Sequence, residues 1–250
     1  MDGEALIGLY RPLNTLKAID TDLWIADGPI ENMAMYGTHL PFSTRMTIVR
    51  LSNGDLWCHS PIALTEELRK AVTDLGPVRH LVSPNKIHYA HIAEWARAFP
   101  EAMTWASPGV RERAAGQGMA VAFQEDLTDR APVDWSQEID QLVFRGSRFM
   151  DEVVFFHRQS RTLILADLIE NFESNKVSWK VRWLLRFTGV LHPDGKLPLD
   201  LRTTFWGHKD EARRCFQVML DWQPERVLLC HGRWYERDGT DELKRAFRWL

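Results

Sequence analysis

Arg79-His80-Leu81-Val82-Ser83-Pro84-Asn85-Lys86-Ile87-His88-Tyr89-Ala90-His91 is the stretch whose reading decides the fold. An apolar strand runs through Leu81 and Val82 and breaks at Pro84, which cannot donate to a ladder. A helical pattern then continues to Phe99-Pro100, with Ile92, Trp95, Ala96 and Phe99 on one face. Two histidines therefore stand where a strand gives way to a helix, the place where α/β folds gather their ligand sites. His88 and His91, three apart, would share a helical face with Trp95, so they also suit the buried start of a helix. A helix N-terminus disfavours an imidazolium and leaves neutral nitrogens fit for a metal.

The same texture extends outward in both directions. Leu23-Trp24-Ile25-Ala26-Asp27 is a short strand ended by Gly28-Pro29. Arg45-Met46-Thr47-Ile48-Val49-Arg50-Leu51 leads through Ser52-Asn53-Gly54-Asp55, with its Asn-Gly hairpin signal, into Leu56-Trp57-Cys58-His59. Thr65 is placed to cap a helix whose apolar face is Leu68, Ala71, Val72 and Leu75, and Gly76-Pro77 stops it. In the second half, Glu152-Val153-Val154-Phe155-Phe156 and Thr162-Leu163-Ile164-Leu165-Ala166 read as a hairpin. Helices are expected over 174–187 and 209–222, the latter with Ala212, Cys215, Met219 and Trp222 inward. Arg226-Val227-Leu228-Leu229-Cys230 reads as a buried strand. Thr240 is placed to cap a last helix with Leu243, Ala246, Phe247 and Leu250 inward. Strands alternating with helices in both halves predict an α/β fold of sheets covered by helices. No repeat or linker divides the chain, so a single domain over 1–250 is expected.

Composition narrows the function classes. At 250 residues, 45% hydrophobic and 26% charged, the chain can bury roughly three quarters of its unfolded surface. A net charge of −3 lacks the basic surplus of a dedicated nucleic-acid binder. No run of about 18 apolar residues is present, which excludes a transmembrane helix. Met1-Asp2-Gly3-Glu4 is acidic and lacks the basic start of a secretory signal. Cys58, Cys215 and Cys230 are too few for a disulfide framework and fit thiols packed in a reducing cytoplasm. A cytoplasmic location is the resulting expectation.

Four apolar strands each end on a ligand-type or acid/base side chain. His59 ends the Leu56 strand, and His88 and His91 follow the Leu81 strand. Asp167 ends the Leu163 strand, and His231-Gly232 ends the Leu228 strand. Imidazoles with one carboxylate suit zinc, iron or manganese. Each residue also has a plain structural reading. A histidine after a strand often makes a loop hydrogen bond, and Asp167 can cap the turn Leu168-Ile169-Glu170-Asn171.

The order strand, His cluster, strand–Asp, strand–His-Gly resembles the metallo-β-lactamase fold superfamily. More narrowly, Thr44-Arg45-Met46-Thr47-Ile48-Val49-Arg50-Leu51, His59-Ser60-Pro61, Ser83-Pro84-Asn85-Lys86-Ile87-His88 and Ala166-Asp167-Leu168 resemble its DUF4336 branch. The resemblance implies a four-layer αβ/βα sandwich, metal-dependent hydrolysis, and metal ligands at His88, His91, Asp167 and His231. It also shows departures. Against the superfamily pattern His-x-His-x-Asp-His, this chain has Lys86-Ile87-His88-Tyr89-Ala90-His91, so the first His has become Lys86 and the water-orienting Asp has become Ala90. The next family His has no counterpart in Gly146-Ser147-Arg148-Phe149-Met150-Asp151-Glu152. The resemblance therefore implies one divalent ion, zinc before iron or manganese, or none, in place of a bridged pair.

Three further residues complete the expected site. Glu152 is a candidate ligand or general base, or else a surface carboxylate at a strand start. His59 is a candidate for orienting a ligand, or else a loop residue. Lys86 would place a cation near the cavity for an anionic small-molecule substrate, or else is simply solvated. Residues 174–205 look like an insertion. There Trp179, Trp183 and Phe187 recur every four residues among Lys176, Lys180, Arg182 and Arg186. The aromatic stripe is expected to be buried as a lid over the pocket; the alternative is contact with a membrane surface. The functional expectation is a mononuclear metallo-hydrolase cleaving an ester, amide or phosphoester. Its rival is a non-catalytic relative that binds a small anionic ligand or a protein partner in the same pocket.

Overall fold

The computed structural model describes residues 8–35 and 38–250; the acidic start Met1-Asp2-Gly3-Glu4 and the Lys180 side chain lie outside the described residues. Two sheets lie face to face. The first has seven strands in sequence order: β1 Leu16–Asp20, β2 Leu23–Met35, β3 Thr38–Arg50, β4 Leu56–His59, β5 Val78–Val82, β6 Met103–Ala106 and β7 Glu125–Asp126. The second has four strands in the order β11 Arg226–Leu228, β10 Thr162–Ile164, β9 Glu152–His157 and β8 Ile139–Phe144. Strand alternation builds the layers. On β4, Trp57 points between the sheets while Leu56 and Cys58 face outward; on β9, Val153 and Phe155 point inward while Val154 and Phe156 face outward.

The inter-sheet layer joins Leu23, Ile25, Val49, Trp57 and Val82 to Val143, Val153, Phe155, Ile164 and Leu228. Outside the first sheet lie α1 Glu66–Leu75, α2 Ile92–Ala98 and α3 Val110–Gly116, whose Leu68, Val72, Trp95, Val110 and Ala114 cover Ile48, Leu56 and Leu81. Outside the second lie α5 Leu199–Thr203, α6 Lys209–Asp221 and α7 Gly239–Ala246, whose Leu201, Cys215, Met219 and Leu243, with Phe247 just after α7, cover Phe144, Phe156 and Leu163. The result is the four-layer αβ/βα sandwich that the resemblance implies, with the helix-covered sheets that strand–helix alternation predicts. All three cysteines are buried free thiols; Cys58 and Cys215 pack in the two outer cores, whereas Cys230 lies against His88 at the candidate site. No helix among the described residues is long and apolar enough to cross a membrane.

Several local expectations hold. The Asn53-Gly54 turn links antiparallel β3 and β4, with Gly54 at φ 90°. Thr65 caps α1, its Oγ1 accepting from Leu68 N at 3.2 Å. Thr240 does not cap α7, however. Asp238 takes that place with φ 57°, and the Thr240 hydroxyl donates to the Pro224 carbonyl. The helix thus begins two residues earlier than a Thr240 cap would place it, and its first residue, Gly239, lies where a Cβ would come within 2.9 Å of the Pro224 carbonyl oxygen. The last strand ends at Leu228, because Leu229-Cys230-His231 peels away toward the site.

Residues 174–205 depart most from expectation. A one-turn 3-10 helix Ser174–Lys176 precedes α4 Trp179–Thr188. The buried face of α4 is Val181 and Leu185, packed with Ile30 and Phe42 on a small cluster of Phe172, Val177 and Val190. Trp179, Trp183 and Phe187 are not buried but 61%, 68% and 77% exposed. At about 100° per residue, positions two apart lie on opposite sides of a helix, so burying 181 and 185 turns the aromatic stripe outward.

Candidate metal centre

Strand register brings two candidate ligands side by side. β10 and β11 are parallel, with Ile164 opposite Leu228, and Leu165 N extends the ladder to the Leu228 carbonyl. Three residues further along each strand stand Asp167 and His231. The third ligand comes from the other sheet. Ser60 N bonds to the Val82 carbonyl at the shared end of β4 and β5, and Asn85 bridges across to Glu152 at the start of β9. The Asn85 carboxamide oxygen accepts from Ile87 N at 2.9 Å, forming an Asx turn that swings His88 inward.

The three side chains converge. His231 Nε2 lies 3.1 Å from Asp167 Oδ1, His88 Nε2 lies 3.1 Å from Asp167 Oδ2, and the two Nε2 atoms are 3.3 Å apart. Tetrahedral metal–ligand bonds of about 2.0–2.1 Å place donor atoms roughly 3.3 Å from one another. The imidazoles face different Asp167 oxygens, and one donor atom from each residue lies within 4.8 Å of the others, so surrounding an ion requires the carboxylate to turn one oxygen toward both rings. The outward nitrogens are fixed as well. His231 Nδ1 sits 2.6 Å from the Ser43 carbonyl and so carries the proton, leaving Nε2 for the centre. His88 Nδ1 meets the Ser60 hydroxyl at 2.7 Å, with Ser60 held in the left-handed region at φ 52°.

A buried frame holds this triplet. Asn85, fully buried, donates to Asp167 Oδ2 at 2.7 Å and to Glu152 Oε2 at 3.1 Å. Arg45, also buried, pairs with Asp27 at 2.6 Å and donates to the Leu229 and Gly232 carbonyls at 2.8 Å each, bracketing His231. Gly232 has φ 87°, and a Cβ there would come within 2.3 Å of the Asn171 carbonyl oxygen. Gly232→Ala is therefore expected to cost about 1–3 kcal/mol from the backbone conformation alone and to displace His231. A melting curve and a metal titration of this variant check both effects; an unchanged melting temperature would rule the clash out.

Charges are strongly coupled here. Burial alone would depress the His88 imidazolium, but the Asp167 carboxylate beside it outweighs this and holds its pKa well above the ordinary histidine value. Burial likewise opposes ionisation of Asp167, yet His88 and His231 pull its pKa far below the usual carboxylate range. Glu152 moves the other way: burial and the Asp167 charge raise it to about 7.

The remaining sequence candidates fall elsewhere. His88 and His91 do not share a helical face, because α2 begins only at Ile92; His91 is its N-terminal flanking residue and His88 lies in the turn before it. The His91 nitrogens meet Glu31 at 3.2 Å and Glu94 at 3.1 Å, so His91 stands outside the triplet although it lines the same cavity. Glu152 is a clamp and not a surface carboxylate: its oxygens accept from Ala166 N at 2.8 Å and Asp167 N at 2.7 Å. The His59 ring nitrogens form no hydrogen bond to a ligand residue or a loop among the described residues. Its ring lies between Trp57 and Phe155, and burial, with the nearby His88 charge, pushes its pKa down to about 3. Lys86 stacks its ammonium over Phe149 at 4.2 Å and is not among the cavity-lining residues. Asn85, Arg45, Ser43 and Glu31 carry no ligand-type signal in the sequence; Asn85 and Arg45 lie within the runs that resemble the DUF4336 branch, and Ser43 and Glu31 do not.

Beside the triplet is a cavity of about 60 Å³, walled by Phe42, Arg45, Ser60, Ala90 and the Glu31–His91 pair. Phe42 also contacts the His231 ring, with centroids 5.4 Å apart.

Residues 34–180 match the family described as Domain of unknown function (DUF4336). The chain belongs to the DUF4336 family. Solved structures share its fold. The DIM-1 metallo-β-lactamase exposed to ceftazidime has a TM-score of 0.62 at 16% identity, over 96% of this chain and 97% of its own. FIM-1 from Pseudomonas aeruginosa, a metallo-β-lactamase in its mono-zinc form, gives 0.59 at 14% identity over 97% and 96%. Rubredoxin oxygen:oxidoreductase from Desulfovibrio gigas gives 0.63 at 10% identity, over 94% of this chain and 61% of its own. At such identities the DUF4336 chain shares with them a fold and no more, and the fold carries more than one chemistry. No curated protein matches the sequence.

Proposed function

We propose that this DUF4336 chain is a mononuclear metal-dependent hydrolase acting on an ester, amide or phosphoester of a small-molecule substrate. The observation that carries this reading is the convergence of His88, Asp167 and His231 at metal-ligand spacing. Two imidazoles and one carboxylate suit zinc, with iron or manganese as the next fits, and three protein ligands leave a position open. The mono-zinc form of FIM-1 shows that a protein of this fold can be isolated with a single zinc ion. When bound, such an ion supplies Lewis acidity and brings the pKa of water near neutrality. The chain's own residues do the rest. Ser43 and Ser60 hold the two imidazoles, Asn85 holds Asp167, and Phe42 limits access to water. Glu31, with His91 against it, places a carboxylate on the cavity wall that also contains Ala90. This pair is the acid–base candidate in place of the carboxylate missing at position 90.

Ala90 also favours a second reading, a non-catalytic relative that binds an anionic ligand in the same cavity. Metal analysis of protein purified without a chelating tag, followed by turnover assays on ester and phosphoester panels, separates the two. About one ion per chain with turnover that falls in Glu31→Gln supports the hydrolase. An ion-free protein that takes up no zinc, iron or manganese overturns it.

The raised His88 pKa gives the metal reading a pH signature. An entering ion must displace the proton that Asp167 holds on His88, so zinc affinity should rise with pH by up to about tenfold per unit until that pKa is passed. Calorimetry in buffers of different ionisation enthalpy should register release of about one proton at neutral pH. The metal-free protein should show the opposite trend. Its stabilisation by protonated His88 is complete below about pH 6.5 and is lost as pH climbs through the raised value. Flat zinc affinity between about pH 6 and pH 8 would contradict the assignment.

A further inference from the structure

We infer that the outer face of α4 docks on the surface of an anionic lipid bilayer. Its first support is exposed area. Trp183, Leu184 and Phe187 are 68%, 59% and 77% exposed, and Trp179 beside them is 61% exposed. Large aromatic side chains carry roughly 150–250 Å² each. The patch therefore reaches the size at which an apolar surface rimmed by polar groups marks a protein or membrane interaction site. The opposite face of the helix is already anchored through Val181 and Leu185. Docking therefore requires no unfolding.

Charge selects the occupant. Between Glu173 and Asp194 the sequence has no carboxylate but contains Lys176, Lys180, Arg182 and Arg186, in a chain whose net charge is −3. Arg182 and Arg186 are exposed and form no ion pair among the described residues. Between α4 and the 191–196 loop is a groove of about 630 Å³, lined by Arg182, Arg186, His192 and Lys196 beside Trp179 and Trp183; the carboxylate on its wall, Asp194, faces Arg245 and Arg248 at 3.9 and 3.7 Å. A cationic groove next to projecting indoles matches an interfacial helix, with rings at headgroup level and guanidinium groups on lipid phosphates. The buried face of α4 packs on Phe42, which lines the cavity and contacts His231, so one side chain separates the docking helix from the candidate metal centre. The docking inference does not depend on a metal being there.

The test uses the full chain. Co-sedimentation is measured with vesicles of phosphatidylcholine alone and with roughly one third phosphatidylserine, at low and high salt. Binding to the anionic vesicles only, weakened by salt, is expected. Arg182→Gln with Arg186→Gln should weaken it about 30-fold. Trp183→Ala with Phe187→Ala should also release the protein, and because these side chains are mostly exposed, circular dichroism should be unchanged. If the aromatic variant does not fold, the charge variant alone decides. Failure to sediment at low salt, or binding indifferent to the charge variant, overturns the inference. So does a dimer in analytical ultracentrifugation that the aromatic substitutions dissociate, since the face would then belong to a second copy.

Discussion

Asp167→Asn is expected to lower zinc affinity by at least about 100-fold while leaving the chain folded. Changing groups that merely support a ligand costs about 10–100-fold, and here a ligand itself loses its charge. Both Asp167 oxygens face imidazole nitrogens at 3.1 Å. An amide offers one oxygen, and its NH2 group would confront either a histidine nitrogen or the Asn85 carboxamide that donates to Oδ2 at 2.7 Å. Competition against a chromophoric chelator measures the effect. His231→Ala should behave alike, whereas His91→Ala should leave affinity within a few-fold, since His91 is engaged by Glu31 and Glu94. Equal losses from His91 and Asp167 would move the site toward the four-ligand arrangement that the family pattern implies.

Arg45→Met should be the most destabilising single change in the frame, at about 3–5 kcal/mol. The substitution keeps the volume but leaves Asp27, 4% exposed at its side chain, with the partly exposed Lys17 at 2.7 Å as its remaining ion-pair partner among the described residues. It also strands the Leu229 and Gly232 carbonyls that flank His231. For a chain of this size that loss corresponds to a fall of roughly 10 °C in melting temperature. Metal affinity should fall with it, because the His231 loop loses its brace. A loss below about 1 kcal/mol would show that Asp27 and the loop find other partners.

Much of the site was legible because the chemistry sits at strand ends. Leu81-Val82, Leu163-Ile164 and Val227-Leu228 are apolar runs that can only be buried, and His88, Asp167 and His231 follow each within a few residues. Other parts were not legible for identifiable reasons. β6 and β7 have four and two residues, too short for alternation to register, and they form by pairing with β5 and with each other. Glu152 and Arg45 have the composition of surface residues. Only tertiary placement reveals one as a clamp on Ala166 and Asp167 and the other as a brace for His231.

The sequence by itself determined the periodicities, the turns at Asn53-Gly54 and Pro84, sheets covered by helices, and which side chains could serve as ligands, since these depend on local sterics and on which faces are apolar; the four-layer αβ/βα order came from the family resemblance. The tertiary structure decided which of them meet. His88 and His91 are three residues apart and chemically identical; the Asx turn at Asn85 sends one ring to Asp167, while the start of α2 leaves the other between two glutamates. In α4 both stripes are apolar, and the pattern alone cannot rank them. The small cluster of Phe172, Val177 and Val190 has room for Val181 and Leu185, so the tryptophans face outward. Residue pattern fixes what each segment can bury, but the choice among equivalent faces and equivalent ligands depends on the partner surface, which the rest of the chain supplies.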